Sequence, residues 1–375
     1  MLIHFLSSRT QKGYFVTYPL RAFGKQIEDL GLRIKIHFRA GSSLSDCDVL
    51  CLSGDYFAFL DPAEKLRLLE QYRRDTRVLV WFDTSDSTGT PYFDAMPFVD
   101  LYAKSFVLRD RTLYTQEFYG RRCHAHFYHT RCGINDTEEQ PWRRPARETE
   151  VPKIIPSWNF GLGNEDVNHN KLVRVGLRFG LLTPWAGYRP TPASPQRARD
   201  IHLSYRSGGR YSLATVAYQR EETRRQLEEI SRTSHHRIIC DGPIPYLRYT
   251  RELRNTLIAP SPFGWGETSY RDYDIFLAGA ALCKPDMGHM ETWPDYYEPN
   301  VTYVPHAWDF SDFREVIEGL LESPSQCRDI AQAGQDRYVH SLSDEGGEAF
   351  AEHFAALMRK AVNKGREQTS NPLTE

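Results

Sequence analysis

Apolar and polar residues alternate along this chain in short blocks that change period. The opening residues MLIHFL form a brief apolar run, followed by a Gly13-containing loop, QKGYFVTYP, and a helix candidate from Leu20 to Leu30 that Gly31 would end. RIKIHFR then alternates as a strand, and DVLCLS is apolar enough for a buried one. From Pro62 to Arg74 the spacing of Leu66, Leu68, Leu69 and Tyr72 is that of an amphipathic helix, and RVLVWFD is again a buried strand. A second series starts at DIHLSY. It continues with a helix from about Ser212 to Ile230, HRIICDG, a helix around Tyr246 to Asn255, TLIAPSP, a helix from Tyr270 to Leu277, AALCKPD, NVTYVP and a helix from Phe310 to Leu321. A last helix, about Glu345 to Lys360, places Phe350, Phe354, Leu357 and Met358 on one face, ahead of a polar tail. Strands that alternate with helices imply parallel sheets, whose ligands lie beyond the carboxyl ends of the strands. No repeat of fixed period is present.

Two stretches rich in charge and proline, residues 134–156 and 186–200, are candidate junctions, and the second is favoured because a fresh strand begins at its end. The expected organisation is α/β: a Rossmann-like lobe over residues 1–185, a second over 186–344, and a terminal helix with its tail over 345–375, with the chemistry in the cleft between the lobes. A length of 375 residues suits two cores, and 40% hydrophobic content fills them. A net charge of −2 argues against a global attraction to nucleic acid, so none is expected as a partner. No run approaches the roughly 18 apolar residues of a spanning helix, and the first residues lack the positive stretch of a secretory signal. Seven cysteines, an odd number in a chain of this size, suit a reduced, cytoplasmic protein.

The candidate chemistry concentrates in the second series. Ser261 to Trp293 holds a glycine-broken turn, a helix start, an apolar strand and a second glycine loop. Gly264 and Gly266 allow backbone to approach a ligand, and Glu267, Thr268 and Ser269 offer acceptors where a helix begins, whose free amides favour anions. Tyr270 and Arg271 open that helix, and Asp274 shares a face with Arg271, where its carboxylate could accept both ribose hydroxyls. Upstream, Arg206 and Arg210 flank Gly208-Gly209 after a strand, an arrangement suited to a diphosphate, with Arg220 on the following helix. Lys284, Asp286, Gly288, His289 and Glu291 lie at or beyond the carboxyl end of AALC.

In the first lobe, Asp83 and Asp86 follow RVLVW and are candidates for the base that takes a proton from an attacking hydroxyl, Asp86 being farther into the loop. Helix capping is the competing role for both. Lys12, Gly13 and Tyr14 follow the first strand and form an acceptor-side candidate. The segment CHAHFYHTRC holds five metal-capable residues, yet their spacing matches no common zinc motif and His124 with His126 reads as one face of a strand, so no metal is expected there.

The run Asp274-Ile275-Phe276-Leu277-Ala278-Gly279 resembles the Glu-x-x-x-Ala/Ser-Gly helix of GT-B fold glycosyltransferases of the group-1 and exostosin-like kind. The resemblance spans about Asp200 to Trp308 and is architectural in the first lobe. It implies two Rossmann-like domains across a cleft and a nucleoside-diphosphate-sugar donor. Asp274 would hold the ribose, Arg206 and Arg210 the pyrophosphate, and the Leu282 to Glu291 segment the transferred sugar. Asp274 takes the second acidic position of the family's Glu-x7-Glu motif, but the first falls on Gly266, with Glu267 one residue late. The implied reaction moves a sugar to a hydroxyl of a glycan or a lipid-linked acceptor, with peripheral membrane contact left open and no divalent cation required. The alternatives are a GT-B nucleotide-sugar epimerase and a non-catalytic nucleotide- or glycan-binding protein.

Overall fold

A computed structural model describes residues 1–89, 92–137, 144–163, 190–208 and 211–370. The first lobe begins with β1 (Leu2–Leu6), α1 (Gln11–Ala22), α2 (Gly24–Asp29), β2 (Arg33–His37), β3 (Val49–Ser53), α3 (Gly54–Phe57), α4 (Pro62–Asp75) and β4 (Leu79–Asp83). It continues with β5 (Leu101–Lys104), β6 (Phe106–Leu108), α5 (Cys123–Cys132) and β7 (Ile154–Pro156). Six of these strands form one parallel sheet in the order β2-β1-β3-β4-β5-β7. Both β3 and β4 are buried along their whole length, as continuous apolar runs in a sheet covered on both faces should be.

The second lobe contains β8 (Ile201–Arg206), α6 (Ala214–Thr233), β9 (Ile238–Asp241), α7 (Tyr246–Leu253), β10 (Thr256–Pro260), α8 (Tyr270–Ala278), β11 (Ala281–Pro285), β12 (Met290–Thr292), β13 (Val304–His306), α9 (Phe313–Leu321) and α10 (Pro324–Ser341). Its parallel sheet runs β13-β11-β10-β8-β9. Counted within each lobe, both sheets share the strand order 2-1-3-4-5, the first with one more strand at its edge. The chain direction therefore reverses at β1/β3 and again at β8/β10, the switch points where open parallel sheets bind ligands. The expected α/β class, two Rossmann-like lobes, is what the topology shows.

The final helix, α11 (Asp344–Ser370), packs on the first sheet. Phe350, Phe354, Leu357 and Met358 join Ile3, Phe5, Val80 and Phe82 in one core, while the alternate residues Leu50, Leu52, Leu79 and Trp81 face a second core under α4. The final helix thus completes the lobe that the first residues began. Further contacts join the lobes, among them the antiparallel pairing of β6 with β12, the bond of Glu267 to Thr88, and Asp136, which accepts from the Thr215 amide at 2.8 Å and caps α6 from the other lobe.

Local expectations fail at three places. QKGYFVTYP is not a loop but most of α1: the Thr10 hydroxyl accepts from the Gly13 amide at 3.2 Å, and the helix carries Pro19 inside it. CHAHFYHTRC is helix α5 and not a strand, ending at Gly133 in the left-handed conformation with φ 69°. Within 134–156, one of the two candidate junctions, β7 forms the edge strand of the first sheet. The other junction begins at residue 186, where the chain lies partly outside the described residues.

Candidate functional site

Two adjoining cavities, of 480 and 290 Å³, lie between the lobes. Gln11, Lys12, Thr84, Ser85, Asp86 and Trp265 line both of them. The larger one opens at the first sheet's switch point, where the residues after β1 and β3 diverge. Its floor includes Asp55 at the start of α3. That carboxylate accepts from the Ser8 amide at 2.9 Å and from the hydroxyls of Ser7 and Ser53, so it fixes the turn after β1. Gly13 is needed beside it, because a Cβ there would stand 2.2 Å from the Ser8 carbonyl oxygen and 2.6 Å from the Asp55 carboxylate. Gly13 and half-buried Tyr14 support α1 without lining either cavity, and exposed Lys12 is the acceptor-side candidate that does line them.

Arg122, beside Arg121, is a cation of the larger cavity that sequence reading passed over. It is 7% exposed, lies 5.2 Å over the Trp265 ring and donates through Nη1 to the Trp265 carbonyl at 3.4 Å. Its Nε and Nη2 have no hydrogen-bond partner among the described residues. Burial lowers this guanidinium from its ordinary value, and the carboxylates of Asp136, Asp86 and Glu267 pull the other way.

The smaller cavity is walled on the second lobe by Arg220, Gly264, Gly266, Thr268, Ser269 and Tyr270. Arg220 comes from the second turn of α6; its Nη1 donates to the Tyr211 hydroxyl at 2.5 Å and the guanidinium lies 4.7 Å over that ring. A Cβ on Gly264 would come within 2.5 Å of Arg220 Nη2, and one on Gly266 would come within 1.6 Å of the Asp86 carbonyl oxygen. Gly266 is therefore required by its close approach to backbone of the other lobe, whereas at Gly264 the near atom is the mobile end of the Arg220 side chain. Ser269 and Tyr270 line the cavity at the start of α8, which a capping box between Ser269 and Asp272 secures. The buried Thr268 hydroxyl has no hydrogen-bond partner among the described residues.

Several candidates sit elsewhere. Asp83, the alternative base, is buried and accepts from Lys104 Nζ at 2.8 Å, the Tyr102 hydroxyl at 3.0 Å and the Ser85 amide at 2.9 Å, which leaves it no route to a substrate. Arg206 forms a two-pronged pair with Glu252, at 2.9 and 2.7 Å, and reaches Asp241 at 3.3 Å, so its charge is matched away from the cleft. Arg271 donates to the Arg206 carbonyl and covers Tyr205. Asp274 accepts from the Tyr246 hydroxyl at 3.3 Å and lines neither cavity. Lys284, 0% exposed, donates to Asp272 Oδ2 at 3.1 Å and to the Glu267 carbonyl at 2.8 Å; burial lowers its ammonium from the ordinary value, opposed by Asp272. Arg210 lies outside the described residues.

The segment after β11 turns towards the first lobe. The Gly288 carbonyl accepts from Arg109 Nε at 3.0 Å, Glu291 pairs with Arg111 at 2.7 Å, and Asp286, exposed, accepts from the Gly288 amide at 3.2 Å. His289 stands 3.6 Å from Glu267, and His124 stands 3.5 Å from the same carboxylate oxygen. Glu267 is 1% exposed and accepts from the Thr88 amide at 3.1 Å and the Thr88 hydroxyl at 2.6 Å. Burial alone would push this carboxyl up; the adjacent imidazoles of His124 and His289 outweigh it and hold the group well below the usual carboxylate range. Glu267 is a fastener between lobes and not a wall of the cleft.

The cavities thus take Lys12, Asp86, Arg220, Gly266, Thr268 and Tyr270 from the candidates and add Asp55, Arg122 and Trp265. Ser53-Gly54-Asp55 could have been found by the rule that picked out Asp83 and Asp86, since it also follows a buried strand. No comparable signal precedes Arg122.

Two Rossmann-like lobes thus share a cleft lined from both sides. No protein family and no curated protein matches the sequence. Among solved structures, the chain is similar to an α1,3-fucosyltransferase, at 11% identity and TM-score 0.42 over 96% of this chain and 90% of that one. It is also similar to HepE of Anabaena in complex with UDP, at 10% and 0.41 over 96% and 100%. A UDP-GlcNAc 2-epimerase of Neisseria meningitidis bound to UDP-GlcNAc gives 10% and 0.44 over 96% and 100%. Another similar structure is an α-glucosyltransferase in complex with UDP-glucose and DNA containing an abasic site, at 10% identity and TM-score 0.41 over 96% of this chain and 99% of that one. At these identities and TM-scores, function has to rest on this chain's own residues. Among the described residues, no helix is long and apolar enough to cross a membrane.

Proposed function

We propose that this chain is a glycosyltransferase that moves a sugar from a nucleoside-diphosphate donor to a hydroxyl of an acceptor, by inversion. The observation that carries the reading is the position of Asp86: half-buried, without a hydrogen bond to its side chain among the described residues, and lining both cavities where they meet. The donor occupies the smaller cavity, with its diphosphate near Arg220 and the start of α8, and the acceptor occupies the larger one. Asp86 takes the proton of the acceptor hydroxyl as its oxygen attacks the anomeric carbon, and the carbon–oxygen bond to the diphosphate breaks on the opposite side. Arg220, Lys12 and the first amides of α8 take up the negative charge of the leaving diphosphate without a divalent cation.

The test begins with a thermal-shift screen over UDP-, GDP-, CMP- and dTDP-sugars, because a donor that binds the folded state raises Tm. The donor that shifts Tm should release sugar slowly to water, whereas a binding protein would leave it intact. Asp86→Asn should retain the Tm shift and lose turnover by about 10²–10⁴-fold, the usual share of a general base. Full turnover in that variant removes Asp86 from the reaction, and absence of any donor shift removes the function.

A further inference from the structure

Three chain segments converge at the amino end of the second sheet, opposite the ends that meet the cleft. His235 and His236 lie in the turn between α6 and β9, and Glu322 is the C-cap residue of α9. One ligand atom from each, a nitrogen of either imidazole and an oxygen of the carboxylate, all fall within 4.8 Å of one another. His236 Nε2 stands 3.1 Å from Glu322 Oε1, and the two imidazole centres are 4.0 Å apart. The His236 side chain is 12% exposed, while His235 and Glu322 are at the surface, so one fixed group stands beside two that can turn.

A third imidazole, His202 near the start of β8, packs edge-on against His236 with ring centres 4.7 Å apart. Its Nδ1 accepts from the Arg237 amide at 3.1 Å, which places the proton of the neutral ring on Nε2. His202 therefore has no lone pair to offer and serves to hold the His236 ring.

The geometry points to a divalent transition-metal site made by His235, His236 and Glu322, with zinc as the ion its ligands suit. Two imidazoles and one carboxylate are the protein ligands of an open zinc site, in which water takes the fourth position. Bonds of about 2.0–2.2 Å in a tetrahedron set ligand atoms about 3.4 Å apart. His236 and Glu322 already meet that spacing, and the exposed His235 closes the remainder by turning its side chain. The ion would clip the turn before β9 to the end of α9. Its place at the amino ends of the strands separates it from the cleft, so it takes no part in sugar transfer.

The probe is zinc itself, titrated calorimetrically into untagged, chelator-stripped protein, with Tm followed in parallel. One zinc per chain should bind with a Kd of about 10 μM or tighter, and saturation should raise Tm by a few degrees. His236→Ala and the surface change Glu322→Gln should each weaken binding by more than about tenfold while keeping the wild-type Tm in chelator. His340→Ala, an exposed histidine of α10, should bind zinc as the wild type does. Unchanged affinity in both site variants overturns the proposal. So does the lack of a zinc-dependent rise in Tm, and so does a millimolar Kd, which would mean adventitious binding to surface histidines.

Discussion

At the end of β4, Asp83 is held by Lys104 and Tyr102, while Asp86, three residues on, faces both cavities. At the carboxyl ends of β8 and β11 the cations are held in the same way, Arg206 by Glu252 and Lys284 by Asp272, and the cation that lines the smaller cavity from this lobe is Arg220, from a helix. Two sheets with one strand order thus equip their carboxyl ends differently. The first leaves a carboxylate open in the loop after a strand; the second closes its strand-end charges into pairs and brings a cation in from α6. A charged residue at the end of a parallel strand is available for chemistry only when the lobe has not given it a partner.

The comparison breaks most visibly at Lys284. Lys284→Met leaves Asp272 buried without its cation and should cost about 3–5 kcal/mol of stability, read as a fall in Tm or in the denaturant midpoint. A loss of donor affinity with unchanged stability would return Lys284 to the cleft. A smaller effect separates the two arginines. Arg220→Ala should weaken donor binding by about tenfold, equivalent to about 1.4 kcal/mol, with little change in Tm. Arg206→Ala should do the reverse, lowering stability by about 1–3 kcal/mol through the unpaired Glu252 and leaving donor affinity in place. If Arg206 proves the stronger donor contact, the strand-end charges are not closed.

The smallest effect is one of pH and concerns the fastener between the lobes. The folded-state pKa of Glu267 lies below its unfolded value, so the unfolded chain binds more protons as acid is added. The stability it supplies is present above about pH 4.3, the ordinary carboxylate value, and is lost as pH falls through the lower folded value. Tm measured against pH should therefore fall less steeply below about pH 4.3 in Glu267→Gln than in the wild type. Parallel slopes would mean that Glu267 is not the group that titrates.

Much of the fold was legible because its signals are local. VLCLS and LVWFD are buried strands on composition alone, and α4 announces itself by Asp61 and Pro62 ahead of its apolar face. The helix α1 was missed because Gly13 and Pro19 usually punctuate loops; here Gly13 answers the crowding of Ser8 and Asp55 and not a turn. At the site, Asp86 and Gly266 were visible as residue types in the right loops. Their meeting, with Gly266 against the Asp86 carbonyl, joins segments 180 positions apart in the chain and has no local signal.

The sequence by itself determined the alternation of strands and helices, and with it two parallel sheets with ligand sites at their carboxyl edges, since side-chain period and apolar runs act over a few residues. Only the tertiary structure decided which charges remain open. Glu267 finds Thr88 across 179 positions, Arg206 finds Glu252 across 46, and α11 returns from the end of the chain to cover the first sheet. A buried charge is matched by whatever group the fold brings beside it, and that pairing is set by packing between distant segments and not by the residues on either side.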